Sequence, residues 1–168
     1  RYGRAKGRNA LAALWDDSVG FGMQMALCDA VGKSAGLPAC ELLGRPRRKR
    51  VPIAWWAIDM PPADWAAEVG ESIRRGYTSC KLKGRPWRDI HAQIDAVSAA
   101  ASDEYRVVID FNGFLLDANI ARRVLPALDA NRHVAGYESP FYLQRDLPGA
   151  RALTAAMDKL VVEHFHRE

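Results

Sequence analysis

Two lysines alternate with apolar residues in one short segment of the sequence, Cys80-Lys81-Leu82-Lys83. If this segment is a strand, both lysines point to one face and Leu82 points to the other. A buried face with two ammonium groups is costly, because like charges repel and each group loses its hydration. For this segment alone, an edge strand that faces water explains the lysines most simply, since edge lysines discourage aggregation.

Acidic residues end three later apolar segments and change that interpretation. Asp110, Glu138 and Glu163 follow Lys83 at intervals of about 25 to 28 residues, which suits one strand, one helix and two loops. In a (β/α)₈ barrel the carboxyl ends of the strands converge on one active site. Each carboxylate alone could be a solvated loop residue or a helix cap, but three consecutive strand ends favour one site. Carboxylates that meet repel unless a cation holds them, and an all-oxygen ligand set favours Mg²⁺.

The segments around these residues alternate between strand and helix patterns. Apolar or alternating runs predict strands at residues 51–58, 77–83, 105–110, 133–138 and 159–163. Helical patterns separate them at residues 62–75, 87–101, 117–130 and 147–157. Strands that alternate with helices predict an α/β fold with a parallel sheet, here about five βα units of a partial (β/α)₈ TIM barrel.

The chain before this alternation has a different character. Residues 10–15 and 19–35 are rich in Ala, Leu and Met, which predicts helix, and Gly36 and Pro38 follow where a helix would end. Residues 37–44 are predicted as a short tail before the basic run. The basic run at residues 45–50 has no interleaved aromatic residues, so we interpret it as a domain boundary and not as a nucleic-acid site. The predicted domains are residues 1–50 and 51–168.

Composition limits the remaining possibilities. The chain has 168 residues, 49% hydrophobic and 26% charged, which is typical of a globular protein with a core. No apolar run approaches the roughly 20 residues of a membrane span, and the N-terminus lacks the apolar stretch of a signal peptide, so we expect a cytoplasmic location and no membrane partner. Cys28, Cys40 and Cys80 form no CxxC pair; we expect buried thiols and neither disulfides nor zinc.

Five fragments resemble one family in order and spacing. "MQMALCDAVGKSAGLPACELLGRPRRKRVPI" resembles the last helix of a capping domain and its crossing into a barrel, and "GYTSCKLKG" resembles a Lys-x-Lys strand. "VVIDFNG", "GYESP" and "LVVEHF" resemble the three following strands, which bear the metal ligands. The chain thus resembles the enolase superfamily, in its mandelate racemase and muconate lactonizing enzyme branch, over nearly its whole length. This resemblance implies that residues 1–50 are the helical end of an α+β capping domain.

The resemblance also implies roles for individual residues. The Mg²⁺ ligands would be Asp110, Glu138 and Glu163. Lys83 would exchange the α-proton of a carboxylate substrate, and Lys81 would support it near the substrate carboxylate. Asn112 shares a face with Asp110 and would be a polar neighbour of the substrate.

Histidines give a weaker indication of the reaction. Glu163-His164 is reminiscent of relatives that dehydrate sugar acids, which favours a dehydratase or a racemase/epimerase, with a muconate-type cycloisomerase as the alternative. Strand alternation turns His164 away from Glu163, so His164 either contacts the substrate or packs behind the site. His91 and His133 lie far from the strand ends and are expected at the surface.

The sequence also departs from the family pattern. Only about five of eight strands are present, so a second acid/base from later strands and the start of the capping domain are expected to be missing. Ser139 and Val162 stand where an acidic or amide residue and a glycine are common. We therefore expect a partial chain, either part of a homo-oligomeric enzyme that acts on a hydroxy acid or sugar acid, or an inactive half-barrel.

Overall fold

The computed structural model describes residues 20–164. The helix predicted at residues 10–15 lies outside this range. The chain divides between Val51 and Pro52 into two compact units. The assignment of the first unit to a capping domain stays a prediction.

The first unit contains two helices in its described part. Helix α1, Phe21–Ala35, ends at Gly36, whose φ of 68° is the left-handed conformation that glycine adopts without strain. Within the tail predicted at residues 37–44, the structure has a short helix α2, Ala39–Leu43. All six residues of the basic run 45–50 are exposed, as a solvated boundary requires.

The second unit is a five-stranded parallel sheet in the order β1-β2-β3-β4-β5, which confirms the predicted α/β architecture. Its strands are β1, Trp55–Ala57; β2, Ser79–Lys83; β3, Arg106–Asp110; β4, Val134–Glu138; and β5, Leu160–Val162. The helices between them are α3, Pro62–Arg74; α4, Ile90–Ala100; α5, Ala118–Asp129; and α6, Leu147–Ala155, with a 3₁₀ turn at Leu143–Arg145 before α6. None of the helices within residues 20–164 is long and apolar enough to cross a membrane.

Alternation along β2 separates the core from the opposite face of the sheet. Cys80 and Leu82 are buried, whereas Lys81 and Lys83 are only partly buried. The core contains buried residues from all four helices of this unit, among them Trp65, Val69, Ile94, Val97, Leu125 and Leu153. The two lysines therefore share one face, as the sequence predicted, while the residues between and before them anchor the strand.

Polar groups near the amino ends of the strands are buried and hydrogen-bonded. The Tyr105 hydroxyl bonds to Ser72, and the Tyr105 carbonyl bonds to Nδ1 of His133 at 3.1 Å. The expectation that His133 lies at the surface was wrong, because this carbonyl offers a partner for the ring and the residue is 1% exposed. Asp129 accepts hydrogen bonds from the Tyr137 hydroxyl and from the backbone that leads into β5. We call these residues, Ser72, Tyr105, Asp129, His133 and Tyr137, the amino-end network.

The cysteines differ in exposure. Cys80 is buried, and burial raises the pKa of its thiol to about 12. Cys40 is exposed on the short helix α2 and Cys28 is partly buried, so the expectation of three buried thiols was wrong for these two.

Candidate functional site

Three charged residues lie side by side at the carboxyl ends of neighbouring strands. The register pairs Lys83 of β2 with Asp110 of β3, and Asp110 with Glu138 of β4. Because paired residues of parallel strands project to the same side of a sheet, their side chains share one face. The equal spacing seen in the sequence therefore corresponds to one row across the sheet.

Asp110 is the centre of this row. Its side chain is fully buried, and Oδ2 lies 2.6 Å from Nζ of Lys83 and 3.1 Å from Nζ of Lys81. Oδ1 accepts a hydrogen bond of 2.9 Å from the backbone N–H of Asn112. Burial pushes the pKa of the Asp110 carboxyl upward, but the hydrogen bonds from Lys83, the Asn112 backbone and Lys81 outweigh it and lower the pKa below its usual value.

Lys81 joins Asp110 to the next carboxylate. Its Nζ lies 2.6 Å from Oε2 of Glu138 as well as 3.1 Å from Asp110. Burial alone would lower the pKa of Lys81, yet its hydrogen bonds to Glu138 and Asp110 raise the pKa above the usual value. The lysine pair is thus compensated by two carboxylates, which explains how one partly buried face accommodates both ammonium groups.

Asn112 and Arg85 extend the site beyond the ends of the strands. Oδ1 of Asn112 accepts hydrogen bonds from Nζ of Lys83 at 2.9 Å and from Nη2 of Arg85 at 3.0 Å. Asn112 has a φ of 48°, a left-handed conformation that asparagine tolerates better than most residues. Arg85 was not among the predicted site residues, although alternation continued past Gly84 would have placed it on the lysine face.

Glu163 does not join the other two carboxylates. The register pairs Glu138 with Val162, so Glu163 comes one residue after the row. Its Oε2 accepts a hydrogen bond from the backbone N–H of Leu143 at 3.0 Å, and its Oε1 is buried without a hydrogen-bond partner. The predicted convergence of three carboxylates is therefore not what the structure shows, because the pairing of β5 puts Glu163 out of the row.

His164 lies closer to the row than Glu163 does. Its Nδ1 is 3.6 Å from Oε1 of Glu138, and its backbone N–H donates to Oγ of Ser139 at 2.9 Å. Glu163 and His164 thus have different neighbours, since Glu163 accepts from the Leu143 N–H whereas His164 lies beside Glu138. The imidazole lies beside the site, and not behind it.

The donor set suits Mg²⁺ in its chemistry. Within residues 20–164, no three Asp, Glu, His or Cys side chains are arranged to hold a metal ion. Yet the available ligands are carboxylate oxygens, and the buried Oε1 of Glu163 accepts no hydrogen bond from residues 20–164, which suits it to bind a hard cation. In the present arrangement Lys81 neutralises Asp110 and Glu138. A magnesium site at these residues stays a prediction.

These features define a class of protein: an α/β barrel-type unit whose parallel strands present lysines and carboxylates at their carboxyl ends. The sequence pattern of the family described as "Enolase C-terminal domain-like" matches residues 64–164. The chain belongs to this family, and it is a partial chain of the enolase superfamily.

Individual relatives lie in the mandelate racemase and muconate lactonizing enzyme branch. A chloromuconate cycloisomerase from Cupriavidus pinatubonensis is 29% identical over 124 residues, which are 72% of this chain and 33% of that protein. The crystal structure of 2-chloromuconate cycloisomerase from Rhodococcus opacus 1CP is 26% identical with a TM-score of 0.74, and the match covers 84% of this chain and 39% of that one. An enolase from Bradyrhizobium, complexed with magnesium and mandelic acid, has the same fold at 24% identity and a TM-score of 0.73, over 92% of this chain and 46% of that one.

The coverage shows how much of the fold is present. The chain spans about a third of the cycloisomerase from Cupriavidus pinatubonensis. Its five strands therefore correspond to part of a TIM barrel, which confirms the predicted fold class.

Proposed function

We propose that the protein to which this chain belongs removes the α-proton of a small carboxylate substrate, with Mg²⁺ as its cofactor and an enediolate as the intermediate. The observation that supports the proposal most strongly is the row at the strand ends. Lys83 contacts Asp110 at 2.6 Å, and Lys81 links Asp110 to Glu138. A proton beside a carboxylate is very weakly acidic, so its removal needs a base together with cations aimed at the oxygens that gain charge.

The residues divide this work between them. Lys83, at the end of β2, is the base and must be in its neutral form to accept a proton. Lys81 lies one pleat deeper and contributes positive charge near the substrate carboxylate. Mg²⁺ would act as a Lewis acid that stabilises the enediolate oxygens. To hold it, Glu163 would have to leave the Leu143 N–H and join Asp110 and Glu138, which Lys81 neutralises in the present arrangement. Asn112 and His164 are the polar groups beside the substrate.

Two different observations support different final reactions. The Glu163-His164 pair, with the imidazole 3.6 Å from Glu138, supports dehydration or racemisation of a hydroxy acid or sugar acid. The 29% identity to a chloromuconate cycloisomerase supports cycloisomerisation instead. All three reactions share the proton chemistry of the lysine pair, so the first test addresses that common step.

Deuterium exchange at the α-carbon tests the common step. A protein with all eight barrel strands, in Mg²⁺ and D₂O, is incubated with hydroxy acids, sugar acids and muconolactones while ¹H NMR follows the α-proton. We expect Lys83→Met to abolish exchange on at least one stereochemical face and Lys81→Met to slow it. Lys159→Met, at the opposite end of the sheet, is the matched control and should exchange at the wild-type rate.

The results separate the alternatives. Undiminished exchange in Lys83→Met on both faces would refute the role of Lys83. A wild-type protein that exchanges none of the substrates, although it binds Mg²⁺, would refute the proposed removal of an α-proton from these substrates. The product formed by the active wild type decides between dehydration, racemisation and cycloisomerisation.

A further inference from the structure

Arg85 makes an unusual set of contacts for an arginine beside an active site. It forms no ion pair with a carboxylate of residues 20–164. Its guanidinium donates to three carbonyl oxygens: Gly84 O at 2.7 Å, Asp110 O at 3.3 Å and Asn112 Oδ1 at 3.0 Å. It also lies over the ring of Phe114, 4.9 Å from the centroid. The side chain is thus fixed to the ends of both β2 and β3.

We propose that Arg85 is a positioning residue that fixes the carboxamide of Asn112, and through it the direction of the Lys83 side chain. The proposal rests on the proposed function, because Lys83 is the base in that function. Arg85 and Lys83 both donate to Oδ1 of Asn112, and this shared acceptor is the link through which Arg85 acts.

The hydrogen bonds of Asn112 show why a second donor matters. Oδ1 faces two cationic donors, Lys83 and Arg85, while Nδ2 donates to Oδ2 of Asp110 at 3.3 Å. A rotated carboxamide would turn its N–H groups toward both cations and its oxygen toward the Asp110 carboxylate. Each cation therefore disfavours the rotated form. With Arg85 removed, only Lys83 and the Asp110 carboxylate oppose the rotation, and Lys83 has to accept a proton during the proposed reaction.

Geometry, and not charge, makes arginine the suitable residue. A guanidinium presents several N–H groups in one rigid plane and can bond Gly84, Asp110 and Asn112 at once. The ammonium group of a lysine has the same charge but cannot match that fork, and it is also a poorer partner for the face of Phe114. Arg85→Lys therefore separates positioning from electrostatics.

The kinetic test uses the full-length enzyme and its exchange reaction. We expect Arg85→Lys and Arg85→Met to lower kcat by about ten- to a hundredfold with little change in KM, because misplaced catalytic groups cost rate more than binding. Asn112→Ala should remove most of this effect, so that Arg85→Met adds little in the Asn112→Ala background. Arg88→Lys is the matched control, since Arg88 lies in the same loop but bonds Asp59 at 3.0 Å.

A crystal structure of Arg85→Lys supplies a readout that does not depend on activity. We expect the Asn112 carboxamide to rotate or lose its contact with Lys83, whereas in Arg88→Lys it keeps the wild-type orientation. Unchanged Asn112 and Lys83 positions in Arg85→Lys would overturn the proposal, even if the wild type exchanged no substrate. A wild-type kcat in Arg85→Lys would also overturn the proposal. Full additivity of the effects of Arg85→Met and Asn112→Ala on kcat would overturn it as well. A wild type without exchange, but with a displaced Asn112 in the variant, would refute the proposed function and leave the positioning role supported.

Discussion

Replacement of Asp110 by asparagine should destabilise the folded chain strongly. The substitution keeps the shape of the side chain but removes a negative charge that is fully buried and faces two ammonium groups. Removal of one partner from a buried ion pair costs about 3 to 5 kcal/mol. Lys83 and Lys81 retain 16% and 29% side-chain exposure, and each keeps another oxygen partner. We therefore expect a loss of stability at the lower end of this range, about 3 kcal/mol.

Urea unfolding followed by tryptophan fluorescence measures this loss. With a slope of about 1 to 3 kcal/mol per molar urea, the midpoint of Asp110→Asn should fall by about 1 to 3 M. Asp103→Asn is the control, because Asp103 pairs with Arg132 on the surface, where both side chains are more than half exposed. An exposed ion pair contributes about 1 kcal/mol or less to stability, so the urea midpoint of Asp103→Asn should stay close to that of the wild type.

The pH dependence gives a second, independent check. The pKa of Asp110 is lowered in the folded state, so its contribution is complete above the ordinary carboxyl pKa of about 3.9 and is lost as pH falls through the folded value. The difference in the free energy of unfolding between wild type and Asp110→Asn should have its full value at pH 7 and should shrink below about pH 4. A variant as stable as the wild type at pH 7, or a gap that stays constant down to pH 2, would refute the reasoning.

Three further outcomes follow from packing and exposure. Gly84→Ala should lower the melting temperature, because its Cβ atom would lie 2.8 Å from the buried ring of Phe111, which follows β3. Such overpacking costs about 1 to 3 kcal/mol. Gly70→Ala is the control and should not lower the melting temperature, since a Cβ atom there would have nothing within 4 Å. Cys40 should react with a chromogenic disulfide reagent at pH 8 in the native chain, and Cys80 only after urea unfolding; simultaneous reaction would contradict their different burial. The chain should self-associate through the edge strand β5, where Val162 is 43% exposed. In sedimentation experiments Val162→Lys should weaken this self-association. A monodisperse wild-type monomer would contradict the prediction.

The row of charged residues could be predicted because it depends on simple geometry. Parallel strands joined by helices of similar length align their carboxyl ends, so Lys83, Asp110 and Glu138 meet whenever the strand assignments are right. Glu163 shows the limit of that reasoning. Its position depends on whether Val162 or Glu163 pairs with Glu138, and a one-residue difference in register is set by tertiary contacts, such as the bond from Ser139 N–H to Val162 O.

Other differences have local or tertiary causes. The apolar run at residues 51–58 predicted a longer first strand, but only Trp55–Ala57 pairs with β2, and Val51 and Ile53 are exposed. Helix α4 begins at Ile90 and not at Trp87, because the Asp89 side chain caps it by accepting from two backbone N–H groups. That cap was readable from the sequence. The burial of His133 could not be read from the sequence, since its partner is the backbone carbonyl of Tyr105, just before β3.

The amino-end network places the polar groups that brace the sheet at the end opposite the lysine pair. Asp129 and Tyr137 bond to each other and to the backbone before β5, and Tyr105 links Ser72 to His133. The loops that follow β2, β3 and β4 take no part in these contacts. For laboratory evolution, a library confined to the exposed loop residues Trp87, Phe114, Leu116 and Tyr142 would therefore diversify the surface beside the strand ends while leaving the bracing intact. Such variants should keep most of the stability of the wild type, because the replaced side chains are exposed and lie away from the amino-end network.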